Sequence, residues 1–181
     1  MLLDTATILD RCHIDYVLEA GTLLGIVREN RLLPWDNDVD ITITRKFEKQ
    51  LLKNRWRFWL KGYRTRVKYY QKDTGPFKKG EIRMMKLQKL VPFKKLNLLD
   101  IFIKKLIADE YFWTIAPKHP VLKSVPRPYY EEFTRLNFEG YEYMAPRDYQ
   151  GYLTYCYGDW RVVVKDWNFR TGDHCVREEI E

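Results

Sequence analysis

Asp38 and Asp40 stand two residues apart in the stretch Trp35-Asp36-Asn37-Asp38-Val39-Asp40-Ile41. The β-branched residues from Val39 to Thr44 alternate with the acids and predict a strand. Period-two geometry then aims both carboxylates at one face. Asp36 has the same parity just ahead of the strand. Carboxylates this close repel strongly unless a cation lies between them. A hard divalent ion with oxygen ligands, Mg²⁺ or in its place Mn²⁺, is the natural solution. A two-metal-type site asks for a third carboxylate, and Asp100 is the best candidate. It interrupts the apolar run Leu98-Leu99-Asp100-Ile101-Phe102, where a lone acid would be costly to bury. Pairing its strand beside 39–44 would bring it to the other two. Asp38, Asp40 and Asp100 are the expected catalytic and metal-binding residues.

The second set of residues suits phosphate. Gly21-Thr22 falls at a strand-to-helix turn, where free N–H groups and the positive end of a helix dipole favour an anion. Gly21 lets the backbone come close, Thr22 offers a hydroxyl, and Arg28 offers a charged fork from within the helix. With Asp36 in support, these are the expected substrate- and phosphate-binding residues. Each feature alone has a plainer reading: a solvated strand end, an ordinary helix cap, a surface arginine, an aspartate salt-bridged to one of many lysines. Their joint occurrence in this order is what argues for a site.

These residues need a scaffold. The apolar spacing of Leu2, Leu3, Ile8 and Leu9 predicts a helix over 2–12. A short buried strand is expected over 16–19, a tight turn at 20–22, and a helix over 23–29 with Thr22 as its N-cap. Residues 45–61 read as an amphipathic helix with a very basic outer face. Strands follow at about 65–70, 82–90 and 98–103. Residues 106–135, aromatic and proline-rich, are expected to form short helices and loops, with a hairpin at 138–144. Pro146 is expected to open a helix that Gly158 stops, and the last twenty residues to be irregular. No linker or repeat divides the chain. It reads as one domain over 1–181, with the motif in 16–44, a basic segment at 45–105 and a C-terminal part at 106–181.

Charge is distributed unevenly about a net +7. Residues 45–105 hold 20 Lys/Arg and 4 Asp/Glu, whereas residues 1–44 hold 3 and 8. The basic segment is either a solvated face or a surface for phosphates, nucleic acid or an anionic membrane. Three cysteines, with no C-x-x-C spacing, argue against a disulfide scaffold or structural zinc. The three histidines are dispersed and suit no ligand set. No apolar run approaches the roughly 18 residues that span a bilayer, and no leader pattern precedes the first helix. The expectation is a cytoplasmic protein, with peripheral contact to an anionic membrane as an option.

The run Gly21-Thr22-Leu23-Leu24-Gly25, then Arg28, then Pro34-Trp35-Asp36-Asn37-Asp38-Val39-Asp40-Ile41 resembles the signature of the LicD family. That family includes bacterial phosphocholine transferases and the fukutin and fukutin-related enzymes. Ile14-Asp15-Tyr16 and Tyr157-Gly158-Asp159-Trp160 resemble it too. Similarity is densest over 1–44, with weaker anchors at Asp100 and 146–160. Asn37 departs from the family's often acidic residue, which makes it a poor ligand. The resemblance implies an α+β fold of the nucleotidyltransferase type, a mixed sheet flanked by helices. It implies a CDP-linked alcohol donor whose phosphocholine or ribitol phosphate passes to a sugar hydroxyl with release of CMP. By analogy with the fold, Asp100 would take the hydroxyl proton. The acceptor would be a glycan, teichoic acid or lipopolysaccharide-like molecule, held by the basic segment if anionic. Trp35, Trp160 and Trp167 suit a quaternary ammonium, although Trp35 in the motif loop also suits simple packing. Two other readings compete: a nucleotidyltransferase that adds NMP to a small molecule or protein, and a nucleic-acid-binding module using Arg55-Trp56-Arg57-Phe58-Trp59. Nucleic acid is not the expected partner.

Overall fold

The computed structural model of the protein describes residues 1–180 apart from 92, 93, 117, 165, 166 and 169. The fold is α+β. In chain order it runs α1 (Leu2–Arg11), β1 (Val17–Leu18), α2 (Ala20–Glu29), β2 (Val39–Thr44), α3 (Glu48–Asn54), α4 (Trp56–Leu60), β3 (Arg64–Tyr69), β4 (Ile82–Val91), β5 (Lys94–Ile107), β6 (Glu110–Ile115), β7 (Val121–Pro126), β8 (Phe133–Phe138), β9 (Tyr141–Pro146), α5 (Tyr149–Tyr157) and β10 (Val176–Glu179). The large sheet has the order β1-β2-β5-β6-β7-β10, with β4 joined to β5 and β3 to β4. Only β2 and β5 pair in parallel among the described strands. Strands β8 and β9 form a separate hairpin.

The sheet sorts its residues by parity, as the pleat requires. Val39, Ile41 and Ile43 of β2, Leu99, Ile101 and Ile103 of β5, and Met85 and Leu87 of β4 are all buried, in one core with Leu9 of α1, Leu51 of α3 and Phe58 of α4. The even-numbered residues point to the other face. Register aligns Asp40 with Asp100, Asp100 with Lys86, and Lys86 with Arg66, so these four lie in a row across β2, β5, β4 and β3. One apolar face therefore builds the core and the opposite polar face carries the chemistry.

Several expectations need correction. Helix α2 begins at Ala20 rather than after Thr22, because Ala20 takes φ 47° and turns the chain there. The N–H groups of Thr22 and Leu23 both reach the Glu19 carbonyl. Thr22 is thus inside the first turn and does not cap it. The single helix over 45–61 is instead a 3-10 turn (Arg45–Phe47) followed by α3 and α4, which meet at Arg55. The strand around Asp100 is 14 residues long, since β2 and β4 flank its first part and β6 continues the pairing from Lys105. Residues 106–135 are mostly strand. Pro120 precedes β7 and Pro126 ends it, so these prolines bound the strand without breaking it. The hairpin is longer than expected; Glu139 and Gly140, both at positive φ, make its two-residue turn. Pro146 closes β9, and α5 starts at Tyr149 behind Asp148, whose carboxylate accepts from the Gly151 N–H. Gly158 stops α5 at φ 65° as expected. The C-terminal stretch includes β10; residues 165, 166, 169 and 181 lie outside the described residues. Among the described residues no helix is long and apolar enough to cross a membrane.

Candidate active site

Asp40 is fixed by its own backbone. Its N–H donates to Thr22 Oγ1 at 2.9 Å, and its carbonyl accepts from Glu19 N at 3.0 Å. The β1–α2 junction thereby clamps the strand carrying the acidic pair. Thr22, expected at the phosphate, is buried and bonded to this backbone. Gly21 lies where a Cβ would collide with the Asp36 carboxylate, and a Cβ on Gly25 would run into the Arg31 carbonyl and Leu33. Both glycines let the loop after α2 fold back onto the helix, and that loop delivers Asp36 and Asp38.

Asp100 arrives from β5, in register with Asp40 and 5% exposed. One of its oxygens, Oδ2, is ion-paired with Lys86 from the neighbouring strand. The other, Oδ1, is buried and has no hydrogen-bond partner, a costly state for a carboxylate oxygen. Asp38, Asp40 and Asp100 each present a carboxylate oxygen within 4.8 Å of the others. Electrostatics agree with the crowding. Asp40 titrates well above the usual aspartate range, through burial first and then through Asp38, Asp100, Asp36 and Glu19. Burial also raises Asp100, against the opposing pull of Lys86, and raises Asp36, with Asp38 adding to the effect. Three converging carboxylates, of which Asp100 alone has a lysine partner and keeps one buried oxygen unpartnered, fit a hard divalent cation.

A cavity of about 460 Å³ opens beside this cluster, lined among others by Asp40, Asp36, Gly21, Arg28, Trp160 and Tyr157. Trp35 and Trp167 stand at its edge, exposed. A smaller recess of about 250 Å³ is lined by Gly21, Thr22, Asp36 and Asp38. Arg28 reaches the larger cavity, but its guanidinium already holds Glu29 at 2.7 Å and the Trp160 carbonyl at 3.3 Å. A phosphate there competes with Glu29.

Two groups escaped the sequence reading. Lys86 is one: its parity within β4 was a usable signal, but only register with β5 puts it on Asp100. The other is the buried set around Glu19. Lys104 Nζ is 2.7 Å from Glu19 Oε2, Thr42 Oγ1 donates to the same oxygen at 2.7 Å, and Tyr130 and Tyr152 also bond the carboxylate. A charged residue inside each of two apolar strands was the visible hint.

Residues 13–148 match the family profile described as LicD/FKTN/FKRP, nucleotidyltransferase domain. The chain belongs to the LicD family. It is similar to an uncharacterised protein of Rickettsia prowazekii (strain Madrid E), 27% identical over 163 residues, covering 88% of this chain and 53% of the relative. An uncharacterised protein of Rickettsia typhi (strain ATCC VR-144 / Wilmington) is 42% identical over 48 residues, 26% of this chain and 16% of that protein. The chain thus spans about half the length of the first relative and far less of the second. LicD membership supports a transferase of the phosphotransferase type. The matched segment contains the motif loop, the acidic triad and every strand of the sheet that carries it except β10.

Proposed function

We propose that the chain transfers a phospho-alcohol, such as phosphocholine or ribitol phosphate, from a CDP-linked donor to a glycan hydroxyl, with Mg²⁺ held by Asp38, Asp40 and Asp100. The observation that carries this reading is the convergence of the three carboxylates, with Asp100 Oδ1 buried and unpartnered. When bound, the cation would neutralise charge on the donor diphosphate. The large cavity beside the triad takes the donor, with its aromatic walls for base or alcohol and Arg28 within reach of phosphate. The acceptor oxygen attacks the phosphorus bearing the alcohol, the bond to the bridging oxygen breaks, and CMP leaves with the electron pair. Asp100 accepts the hydroxyl proton, and Lys86 orients its carboxylate through Oδ2.

The far end of the cross-sheet row supports an anionic acceptor. Much of the basic segment is spent on local acids: Arg45 on Glu81, Lys61 on Asp4, Lys104 on Glu19 and Lys105 on Glu81. Arg64, Arg66 and Lys68 on β3 make no ion pair among the described residues, and Arg66 continues the row beyond Lys86 with the other two on either side of it along the strand. Neighbouring strands are about 4.8 Å apart, so Arg66 lies about two strand spacings from Asp100. That spacing suits a phosphate on the sugar carrying the reacting hydroxyl.

The test is incubation with CDP-choline, CDP-ribitol or CDP-glycerol plus Mg²⁺ and a saccharide acceptor. CMP release is expected with one of them. Pyrophosphate release from a nucleoside triphosphate, with CDP-alcohols left intact, would instead assign NMP transfer.

A further inference from the structure

Helix α4 shows its most apolar side chains to water. Leu60 is 77% exposed, Trp59 49% and Trp56 44%, while Phe58 between them is fully buried and fastens the helix to the core. The outward direction of the three is thus fixed by packing. Their surroundings are cationic: Lys53 and Arg55 are exposed, the Arg55 guanidinium lies over the Trp59 ring at 5.1 Å, and that of Arg57 over Trp56 at 4.7 Å. No acidic residue occurs in the sequence between Glu48 and Asp73. Clustered exposed indole and leucine side chains on a monomer are unusual and mark a contact surface.

We infer that this α4 patch is an interfacial anchor for an anionic lipid surface, with Trp56, Trp59 and Leu60 entering the headgroup layer and Arg55, Arg57 and Lys53 meeting acidic headgroups. Indole at the interface, leucine below it and basic residues around it is the composition of such anchors. Lys53, Arg55 and Arg57 complement anionic lipid, while Asp4 neutralises Lys61 at the end of the helix. Single-stranded nucleic acid fits less well: an arginine already lies over each indole, and Leu60 has no face on which to stack a base. Phe58 packs into the core, and Trp59 Nε1 donates to Thr65 Oγ1, which stands on β3 next to Arg66 and so points to the other face of the sheet. The patch is therefore on the opposite side from the Asp40–Asp100 row, and attachment leaves that row uncovered. The anchor does not depend on which reaction the triad performs.

The experiment is co-sedimentation of the full chain with vesicles of phosphatidylcholine alone or mixed with phosphatidylglycerol, in low and physiological salt. Binding to the mixed vesicles is expected, weakening with salt, with little binding to phosphatidylcholine alone. Arg55→Gln/Arg57→Gln should lower partitioning about fivefold for each charge removed. Trp56→Gln/Leu60→Gln should lower it at least tenfold at unchanged net charge; Leu60→Gln alone, at the most exposed position, guards against a folding artefact. Brominated acyl chains should quench tryptophan fluorescence in the wild type and less in Trp56→Gln. Circular dichroism checks that each variant is folded. The anchor is overturned if the wild type ignores phosphatidylglycerol, if folded variants bind as tightly as the wild type, if oligo(dT) outcompetes the vesicles at equal charge, or if the patch proves covered by a second copy in a stable dimer.

Discussion

Asp40 sits partly buried with Asp38, Asp100, Asp36 and Glu19 near enough to raise its pKa, burial itself being the largest cause. Its folded-state pKa lies above its unfolded one. At this site the native state therefore holds more protons than the unfolded chain from about pH 4 up to that raised value, and the site's contribution to stability falls as pH rises through this window. Without divalent ions, the melting temperature should drop over that range. Mg²⁺ should restore it, with a larger shift at pH 8 than at pH 5; equal shifts would contradict cation binding by the triad. Asp40→Asn removes the repulsion. It should raise the metal-free melting temperature and flatten its pH dependence, yet lower CMP release by at least about a hundredfold, because charge stabilisation by a metal is worth several kcal/mol. A merely structural aspartate would show neither pairing of effects. Thr22→Val tests the backbone clamp. It leaves the Asp40 N–H without its acceptor, which costs about 1–3 kcal/mol, and the loss should appear both in thermal stability and in turnover, with Thr22→Ser restoring both.

The element that places the acids is the α2–loop–β2 unit, and two glycines set its geometry. Loop 30–36 returns along α2 so closely that Gly21 meets Asp36 and Gly25 meets the Arg31 backbone. Gly21→Ala should displace the Asp36 carboxylate and weaken donor binding more than it weakens the fold. Adding Asp36→Gly removes the colliding side chain; the double variant should melt above Gly21→Ala and still bind donor poorly. Melting curves and donor titrations on the three proteins decide this. The helix-start error belongs to this scale. Gly-Thr before an apolar run looks like a turn followed by a cap, but the turn is made one residue earlier by Ala20 at positive φ. That conformation is uncommon for alanine and is held by tertiary contacts that no local pattern reports. The strands missed in 106–135 have a similar cause. Their prolines looked like breakers, and only pairing shows that Pro120 and Pro126 sit at the ends of β7.

Across the whole molecule, Glu19 and Lys104 join parts distant in sequence. Glu19 at the start of α2 gathers Lys104 from β5, Thr42 from β2, Tyr130 from the turn after β7 and Tyr152 from α5. Lys104 Nζ also lies 3.3 Å from the centroid of the Trp113 ring on β6. Lys104→Met leaves a buried carboxylate without its cation and should cost about 3–5 kcal/mol. Glu19→Gln/Lys104→Met, with both charges gone, should recover a large part of that loss. Urea unfolding of the two variants measures the difference; equal destabilisation would mean that the charge pair is not the binding element.

The residue types and spacing of Asp38 and Asp40, the apolar setting of Asp100 and the motif from Gly21 to Ile41 were sufficient to indicate an acidic site, its strand and the family. Local chemistry suffices there because a strand's period of two fixes which side chains share a face. Other features needed the assembled sheet. The parallel register that sets Asp100 beside Asp40, the pairing of Lys86 with Asp100, the burial that orphans Oδ1 and the outward turn of Trp56, Trp59 and Leu60 all depend on which strands become neighbours. Contacts between residues far apart along the chain form only where long-range packing repays the entropy of closing the loops between them, and a local pattern carries no record of that balance.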